Sequence, residues 1–212
     1  TENVLWWLKS GVGDGLPNPP GLPIESVSSL CTPDVDMLAQ VTRAIYRHKT
    51  LEIKYLSLSS GYKTRRIAPH ALVDSGKRWH VRAFDRENNR FSDFVINRIQ
   101  YAQALDEDIV EHELAAADTQ WTEMVNLSLI PHPKIIHQAA IEADYQMKGR
   151  RIEVTCRAAI AGYMLRRWGV DCSTDKSLNP EEYHLALENI DSLVNVESAE
   201  LAPGFRRIKG QS

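Results

Sequence analysis

Apolar residues follow two different periods along the chain. After Thr32-Pro33-Asp34 they recur every three or four positions to about His48, at Val35, Leu38, Val41 and Ile45. This spacing predicts a short amphipathic helix with Thr32 or Asp34 as its N-cap. From Leu51 the period becomes two, which predicts short β-strands within LEIKYLSL (51–58), KTRRIAPHALVDS (63–75), KRWHVRAFDR (77–86) and RFSDFVINRI (90–99). Four or five short strands in about 50 residues predict a small β-barrel.

The pattern changes again after residue 105. The acidic stretch DEDIVEHELAAADTQ (106–120) is expected to connect two domains and to do nothing else. Strands at NLSLIPH (126–132), RRIEVTCR (150–157) and EEYHLALEN (181–189) then alternate with helices near Lys134–Met147 and at Ala158–Trp168, which predicts a sheet with helices on one face. We therefore predict an α+β fold, with the barrel and its N-terminal helix at 34–106, an α/β domain at 107–212, and a Gly- and Pro-rich linker at 1–33.

Charge is distributed unevenly between these segments. Residues 41–100 hold 13 Lys and Arg against 5 Asp and Glu, whereas residues 1–40 hold 1 against 5 and residues 101–212 hold 11 against 18. A basic segment between acidic flanks attracts phosphates and indicates a dedicated site in the predicted barrel. The alternative is a solvated charged surface.

The motifs of most enzymes and metal sites are absent from the sequence. It contains no GxSxG, HExxH, GxxxxGK[ST] or helix-opening GxGxxG motif. The three cysteines, Cys31, Cys156 and Cys172, form no CxxC pair and are expected to be buried thiols. We predict no catalysis, no cofactor and no metal. No apolar run reaches the roughly 20 residues of a membrane span, and the N-terminus lacks the order of a signal peptide, so we expect a cytoplasmic protein.

Cations and aromatic residues concentrate in the predicted barrel. Alternation along the third strand places Trp79, Val81 and Ala83 on one face and His80, Arg82 and Phe84 on the other, so that one face can be core while the other offers cations. Arginine forks bind phosphates and aromatic rings stack on bases, so we expect a nucleotide or nucleic-acid ligand for this set: Tyr55, Ser57, Ser59, Arg65, Arg66, His70, His80, Arg82, Arg90 and Arg98. The alternative is that Arg65, Arg66 and Arg78 protect an edge strand and that Tyr55 belongs to the core.

Several of these motifs together resemble the WYL domain, an Sm/SH3-like barrel of bacterial transcription regulators. The resemblance rests on IKYLSLSSG (53–61), RRIAPHALVDSGKRWHVRAFD (65–85) and FSDFVINRI (91–99). The Trp-Tyr-Leu signature stands here as Trp79-His80-Val81, a variant similar to the regulators that accompany BREX and CBASS anti-phage systems. Because His80 replaces the tyrosine, no role of the tyrosine hydroxyl carries over. By position, the resemblance implies a ligand site at Tyr55, Ser57, Ser59, His70, Arg82, Arg90 and Arg98. We add His80 to this predicted site because an imidazole can stack on a base or hydrogen-bond a phosphate.

The segment from Ile130 to Val170 is similar to the C-terminal extension through which those regulators dimerize. The resemblance implies a homodimeric repressor of a phage-defence locus, whose operator DNA is bound by an N-terminal winged helix-turn-helix that is largely outside this chain. The apolar side chains of the helix at Ala158–Gly169 could serve that dimer or pack in the core.

Two other hypotheses remain open from the sequence. The barrel could bind single-stranded nucleic acid directly, without a switching role. A nuclease would need an acid and base pair, for which the barrel offers only the scattered Asp85, Glu87 and Asp93.

Overall fold

The computed structural model describes residues 30–207. Most of the predicted linker at 1–33 lies outside the described residues. Residues from Cys31 onward belong to one compact unit that holds two sheets. Helices and antiparallel sheets confirm the α+β class.

Helix α1 (Val35–Tyr46) opens this unit and covers the first core. Asp34 caps it by accepting the Met37 backbone N–H at 3.0 Å, as an N-cap aspartate does. Met37, Val41 and Ala44 are its buried residues, at the spacing that places them on one helix face. The sequence therefore predicted this helix and one of its two candidate caps correctly.

Five antiparallel strands form the first sheet: β1 (Leu51–Ser57), β2 (Gly61–Asp74), β3 (Trp79–Asp85), β4 (Arg90–Val95) and β5 (Ile99–Ala104). Their order is β4-β3-β2-β1-β5, and among the described residues β4 and β5 are edges that do not pair with each other. The run 90–99, predicted as one strand, is interrupted by a 3-10 turn at Ile96–Arg98 that separates β4 from β5. The first sheet and helix α1 share one hydrophobic core, which consists of Met37, Val41, Ala44, Leu51, Ile53, Ile67, Val81, Ala83, Phe94, Ile96 and Ile99.

A β-bulge in β2 sets the direction of one predicted site residue. Pro69 pairs with Ala83 and Ala71 pairs with Arg82, so His70 has no partner of its own in the ladder. A proline within a central strand is tolerated at such a bulge because it cannot donate a ladder hydrogen bond. At this bulge the His70 side chain contacts Asp118, which lies outside the first sheet.

Residues 105–123, the connector, lead from β5 to the second sheet. They contain 3-10 turns at Glu111–Glu113 and Ala115–Ala117 and the short helix α2 (Thr119–Thr122), which Asp118 caps.

The second sheet has the order β7-β6-β9-β8 and packs against the remaining helices. It consists of β6 (Met124–Pro131), β7 (Ile152–Arg157), β8 (Val170–Asp171) and β9 (Leu185–Leu187), and the helices are α3 (Gln138–Asp144) and α4 (Ala158–Trp168). Antiparallel pairs join β6 to β7 and β9, while β8 and β9 are parallel. Two 3-10 segments, Ile190–Leu193 and Glu197–Leu201, complete the domain.

Helix α4 lies unusually close to the 197–201 segment. A Cβ on Gly162 would stand 1.7 Å from the Ser198 carbonyl oxygen, so only glycine permits this approach. The Ser198 hydroxyl accepts the Gly162 N–H at 3.0 Å and donates to the Ala158 carbonyl at 2.8 Å.

Several predicted boundaries in this half were wrong. The helix predicted near Lys134–Met147 is confined to α3, because Pro133 starts a turn and the chain reverses before the positive-φ residue Gln146. Only Leu185–Leu187 of the predicted strand 181–189 pairs, and the two-residue β8 was not predicted.

The apolar residues of α4 settle in the chain's own core. Leu165 is fully buried, and Ile160, Met164 and Trp168 pack against the cluster around it. Of the two roles left open by the sequence, dimer contact or core packing, core packing therefore accounts for those side chains. The prediction of buried cysteines holds for Cys156 and Cys172 but was wrong for Cys31, which is only partly buried. Burial raises the pKa of Cys156 to about 11.

Candidate functional site

A buried ion-pair network joins the first sheet to the connector. We use this term for His70, Arg82, Asp93 and Asp118. The Arg82 guanidinium donates to Asp118 through Nε at 2.6 Å and Nη2 at 2.9 Å, and through Nη1 to Asp93 at 3.2 Å. His70 Nε2 lies 3.0 Å from the same Asp118 oxygen that Arg82 Nε contacts. The Arg82 and Asp118 side chains are 5% and 1% exposed, so the fork-to-carboxylate pair is shielded from water.

The charges in this network stabilise one another. Burial alone would raise the pKa of Asp118, but hydrogen bonds from His70 and Arg82 outweigh it and hold the pKa at about 2. Burial likewise opposes the charge of Arg82, yet Asp118 and Asp93 raise its pKa above the ordinary value. Arg82 and Asp118 therefore stay ionised at neutral pH.

The connector holds a second arginine in the same manner. Arg86 donates from Nε and Nη2 to the two Glu113 oxygens at 2.6 and 2.8 Å, and it also pairs with Glu107. The prediction that 106–120 only connects two domains was wrong. Its carboxylates form ion pairs with four cations of the basic segment, Lys49, Arg66, Arg82 and Arg86, at contacts too distant in sequence to show in a local pattern.

The predicted cationic face of β3 is likewise covered and not exposed to solvent. His80, Arg82 and Phe84 are buried to 5%, 4% and 6% exposure, as are Val81 and Ala83 on the opposite face. Alternation separated the two faces correctly, but the connector and α4 pack over the polar one.

Tyr163 of α4 closes this junction and divides it into two clefts. Its hydroxyl donates to Asp93 Oδ2 at 3.0 Å. Burial, followed by the neighbouring Asp93 charge, raises the pKa of Tyr163, so the hydroxyl keeps its proton. Both clefts are bordered by Asp93 and Tyr163.

The first of them, the basic cleft, has a volume of about 320 Å³. It lies between β1, β3, β4 and the following 3-10 turn on one side and the end of α4 on the other. Five cations and one carboxylate, Asp93, are among its lining residues: Tyr55, Leu58, Ser75, Lys77, Arg78, His80, Asp93, Val95, Arg98, Tyr163, Arg166, Arg167 and Leu201.

The described residues do not neutralise the cations of the basic cleft. Within residues 30–207, no carboxylate lies in salt-bridge contact with Lys77, Arg78, Arg98, Arg166 or Arg167. Asp93, the carboxylate at the cleft, already accepts hydrogen bonds from Arg82 and Tyr163. The cleft therefore keeps a positive potential that an anion can neutralise.

His80 supplies a polar ring at the wall of the basic cleft. Its ring lies 5.2 Å from that of Tyr163, centroid to centroid, and its buried Nδ1 has no hydrogen-bond partner among the described residues. Burial lowers the pKa of His80, although the Asp93 charge acts in the opposite direction, so a neutral imidazole can donate or accept at the cleft.

The second cleft, of about 510 Å³, is lined by equal numbers of positive and negative side chains. Three arginines face three carboxylates there, and its polar and aromatic lining comprises Arg82, Arg90, Phe91, Ser92, Asp93, Gln120, Tyr163, Glu197, Ser198, Glu200 and Arg207.

The structure divides the eight predicted site residues among four places. Tyr55, His80 and Arg98 line the basic cleft, whereas Arg82 and Arg90 line the second cleft. His70 is held in the buried network between the rings of Phe91 and Trp121. Ser57 and Ser59 bond to each other, with 3.2 Å between their hydroxyl oxygens, in the turn after β1.

Tyr55 combines both roles that the sequence left open. Its ring packs edge-on against Phe94, its hydroxyl accepts the Val95 N–H at 3.2 Å, and it also lines the basic cleft.

The edge-strand interpretation of Arg65, Arg66 and Arg78 was wrong, because β2 is the central strand. Arg65 pairs with Asp85 at 3.2 Å, and Arg66 lies 3.6 Å from Glu87. Arg78 belongs to the basic cleft.

Sequence reasoning missed four cations of the cleft and Tyr163. Lys77 and Arg78 lie in the turn before β3, and Arg166 and Arg167 lie in the last turn of α4. The adjacent basic pairs KR (77–78) and RR (166–167), which flank the junction in both domains, were the available signal.

Other polar clusters offer no chemistry of this kind. His132 is fully buried, with Nε2 3.0 Å from Asp171, which also accepts from the Ser173 hydroxyl at 2.6 Å. Among residues 30–207, no group of three or more His, Cys, Asp or Glu side chains could hold a metal ion. No helix in that range is long and apolar enough to cross a membrane.

Comparisons with known proteins identify both domains. Residues 36–104 match the family model of the WYL domain. Residues 124–193 match the model described as BrxR transcriptional regulator, C-terminal dimerization domain.

Relatives with assigned functions are DNA-binding transcriptional repressors named CapW. The one from Escherichia coli (strain KTE188) is 33% identical over 163 residues, which cover 76% of this chain and 53% of that protein. The one from Pseudomonas aeruginosa is 34% identical over 163 residues, with the same coverage. The chain thus spans about half the length of these relatives. Among solved structures, the proteasome accessory factor B/C (PafBC) of Arthrobacter aurescens is 13% identical, with a TM-score of 0.37 over 81% of this chain and 28% of that one.

Proposed function

The chain carries a WYL domain followed by a BrxR-type C-terminal dimerization domain, and from that architecture we propose that it is the ligand-sensing and dimerization part of a bacterial transcriptional repressor. The WYL domain binds a nucleotide or nucleic-acid ligand in the basic cleft. The observation that carries this proposal is a set of five cations around one cleft, none of which has a carboxylate partner within residues 30–207. The function is regulatory binding without catalysis.

The residue types of the basic cleft suit such a ligand. Arg78 and Arg98 offer planar forks for phosphate oxygens, and Lys77 adds a point charge. Tyr55 and His80 place aromatic rings at the same cleft, where a base can pack. An apolar metabolite would leave the cations unpaired, so the cleft favours an anion with a flat ring system.

The position of the cleft supplies a route for regulation. Its walls come from the WYL domain and from α4 of the dimerization domain, so a bound ligand contacts both. A ligand shifts a conformational equilibrium only through different affinities for the two states. A tenfold change in operator affinity requires about 1.4 kcal/mol of coupling, which one phosphate contact made in a single state can provide.

The remaining parts of the proposal rest on the WYL resemblance, the match to a dimerization domain and the names of the relatives. The protein acts as a homodimer in the cytoplasm, and its operator DNA is bound by a winged helix-turn-helix N-terminal to this chain. The relatives are named DNA-binding transcriptional repressors, which supports repression. Control of a phage-defence locus is part of the same proposal.

A titration of the purified chain with short single-stranded DNA, RNA and cyclic oligonucleotides at two salt concentrations tests the proposal. We expect saturable binding that Arg98→Ala weakens at least tenfold while the dimer stays intact. Arg43→Ala is the matched control, because Arg43 is an exposed arginine in a separate groove beside α1. Arg82→Ala is unsuitable, since it would remove a buried ion-pair partner.

Three outcomes of that titration count against the proposal. Absence of binding to every probe would exclude the ligand site. A loss caused by Arg43→Ala and not by Arg98→Ala would place the ligand in the groove beside α1. Steep salt dependence without preference among probes would favour direct, non-switching single-stranded nucleic-acid binding.

A further inference from the structure

We propose that the basic cleft holds a terminal chain of two or more phosphates on a nucleotide, and that Arg166 and Arg167 of the dimerization domain complete this phosphate site. The inference rests on the proposed function and names the chemical group that the site recognises. That group can belong to a free nucleoside polyphosphate or to the phosphorylated 5′ end of an oligonucleotide.

Charge matching favours several negative charges close together. Five cations line the cleft, while its carboxylate, Asp93, is occupied by Arg82 and Tyr163. A single phosphodiester carries one negative charge and would leave most of that potential unopposed. A terminal chain of phosphates neutralises several cations within one small volume.

The size and closure of the cleft favour a terminal group over a continuous strand. Its volume of about 320 Å³ is near the lower limit for small-molecule pockets, about 300 to 1,000 Å³. Tyr163 and Asp93, joined by a hydrogen bond, border both this cleft and the second one. One nucleotide with its phosphates can enter, whereas a strand that continued into the second cleft would have to pass this pair.

Helix α4 presents its two arginines from the wall opposite Arg98. Arg166 and Arg167 are both exposed in the last turn of the helix and carry no ion pair among residues 30–207. The partial negative charge of a helix C-terminus, about half an elementary charge, is small beside two guanidinium groups.

One of these arginines lies against the turn before β3. A Cβ at Gly76 would stand 1.6 Å from Arg167 Nη1, so the guanidinium lies directly against the Gly76 backbone. Gly76 has φ of +71°, a conformation that glycine adopts without strain. The glycine thus shapes the turn and makes room for Arg167 beside Lys77 and Arg78.

Calorimetric titration of the wild-type chain with a nucleoside mono-, di- and triphosphate and with inorganic tripolyphosphate tests this site. We expect affinity to rise at least tenfold from mono- to triphosphate, and tripolyphosphate to compete with the nucleotide. The Arg166→Ala/Arg167→Ala variant should bind the triphosphate at least tenfold more weakly. For an oligonucleotide, it should also lower the slope of log affinity against log salt by about 1.4, at about 0.7 for each lost contact to a single strand.

Substitutions at two glycines distinguish the effect of moving Arg167 from the effect of backbone strain at a positive φ. Gly76→Ala forces Arg167 to move, whereas Gly149→Ala introduces a methyl group at a similar φ of +63° with nothing within 4 Å. Only Gly76→Ala should weaken triphosphate binding, by about threefold to tenfold, the range of a weakened phosphate contact.

Oligonucleotides of one sequence with a 5′-hydroxyl, monophosphate or triphosphate end identify the source of the phosphates. Preference for the free triphosphate or for the 5′-triphosphate strand supports the site and selects its ligand. Equal affinity for all three strands, retained in the α4 double variant, would overturn this inference and leave the proposed function standing. A chain that binds no nucleotide and no oligonucleotide would overturn both.

Discussion

Two sets of cations in this protein differ in their partners. Arg82 and Arg86 are held by Asp93, Asp118, Glu107 and Glu113. The basic-cleft cations, Lys77, Arg78, Arg98, Arg166 and Arg167, have no carboxylate partner within residues 30–207. The first set stabilises the fold, and we propose that the second set binds a ligand.

The difference shows why local charge does not identify a binding site. Arg82 lies in the strand of the WYL signature, yet its donors are satisfied inside the fold. Arg166 and Arg167 lie outside the WYL domain but face the cleft. Whether a cation can bind an anionic ligand depends on where carboxylates from distant segments lie, because a cation that is already paired in a buried site gains little from a further anion.

The largest expected effect concerns the buried set. Asp118→Ala leaves Arg82 with Asp93 as its remaining partner and removes the partner of His70 and the cap of α2. We expect the free energy of unfolding, measured in urea, to fall by about 3 to 5 kcal/mol, as for a broken buried ion pair. The control Asp106→Ala removes an exposed partner of Lys49 and should leave stability nearly unchanged. Equal stability of both variants would contradict the distinction between the sets.

The second effect is a loss of stability in acid. The pKa of Asp118 is about 2 in the folded state, below the ordinary value of about 3.9. A carboxyl whose folded pKa is depressed stabilises the fold above its unfolded pKa, and this contribution is lost as the pH falls from about 4 to about 2. We expect a loss of about 2 kcal/mol from this group. Asp118→Asn should flatten that part of the pH profile, and an unchanged profile would show that Asp118 is not its source.

The smallest effect concerns the boundary between the clefts. Tyr163→Phe removes the hydrogen bond to Asp93, and Asp93 keeps Arg82 as a partner. We expect thermal unfolding to report a loss of about 1 kcal/mol, the typical value of one buried hydrogen bond. Tyr46→Phe is the control, because Tyr46 is 86% exposed. A loss as large as that of Asp118→Ala would mean that Tyr163 belongs to the buried network itself.

Strong local signals made much of the fold predictable. Both limits of α4 were predicted correctly, and Gly169, in the left-handed conformation, marks its C-terminal end. Asp34 marked the start of α1. The two-residue strand β8 lacked any such signal, since it exists through its parallel pairing with β9.

The site was predictable only in part. Alternation and the WYL resemblance found Tyr55, His80 and Arg98, which share one cleft. The burial of Arg82 could not be predicted because Asp118 lies 36 residues away in the chain. The contribution of Arg166 and Arg167 depends on how α4 packs across the WYL domain, which no local pattern encodes.

Hydrogen–deuterium exchange of the wild-type chain, with and without a saturating oligonucleotide or nucleoside triphosphate, tests the central claim most directly. The basic cleft predicts ligand-dependent protection confined to the turn at 75–80, the 96–98 turn and the second half of α4, with residues 105–123 unchanged. Protection of 43–49 beside α1, or of the connector without the cleft, would contradict the assignment of the open cations to the ligand.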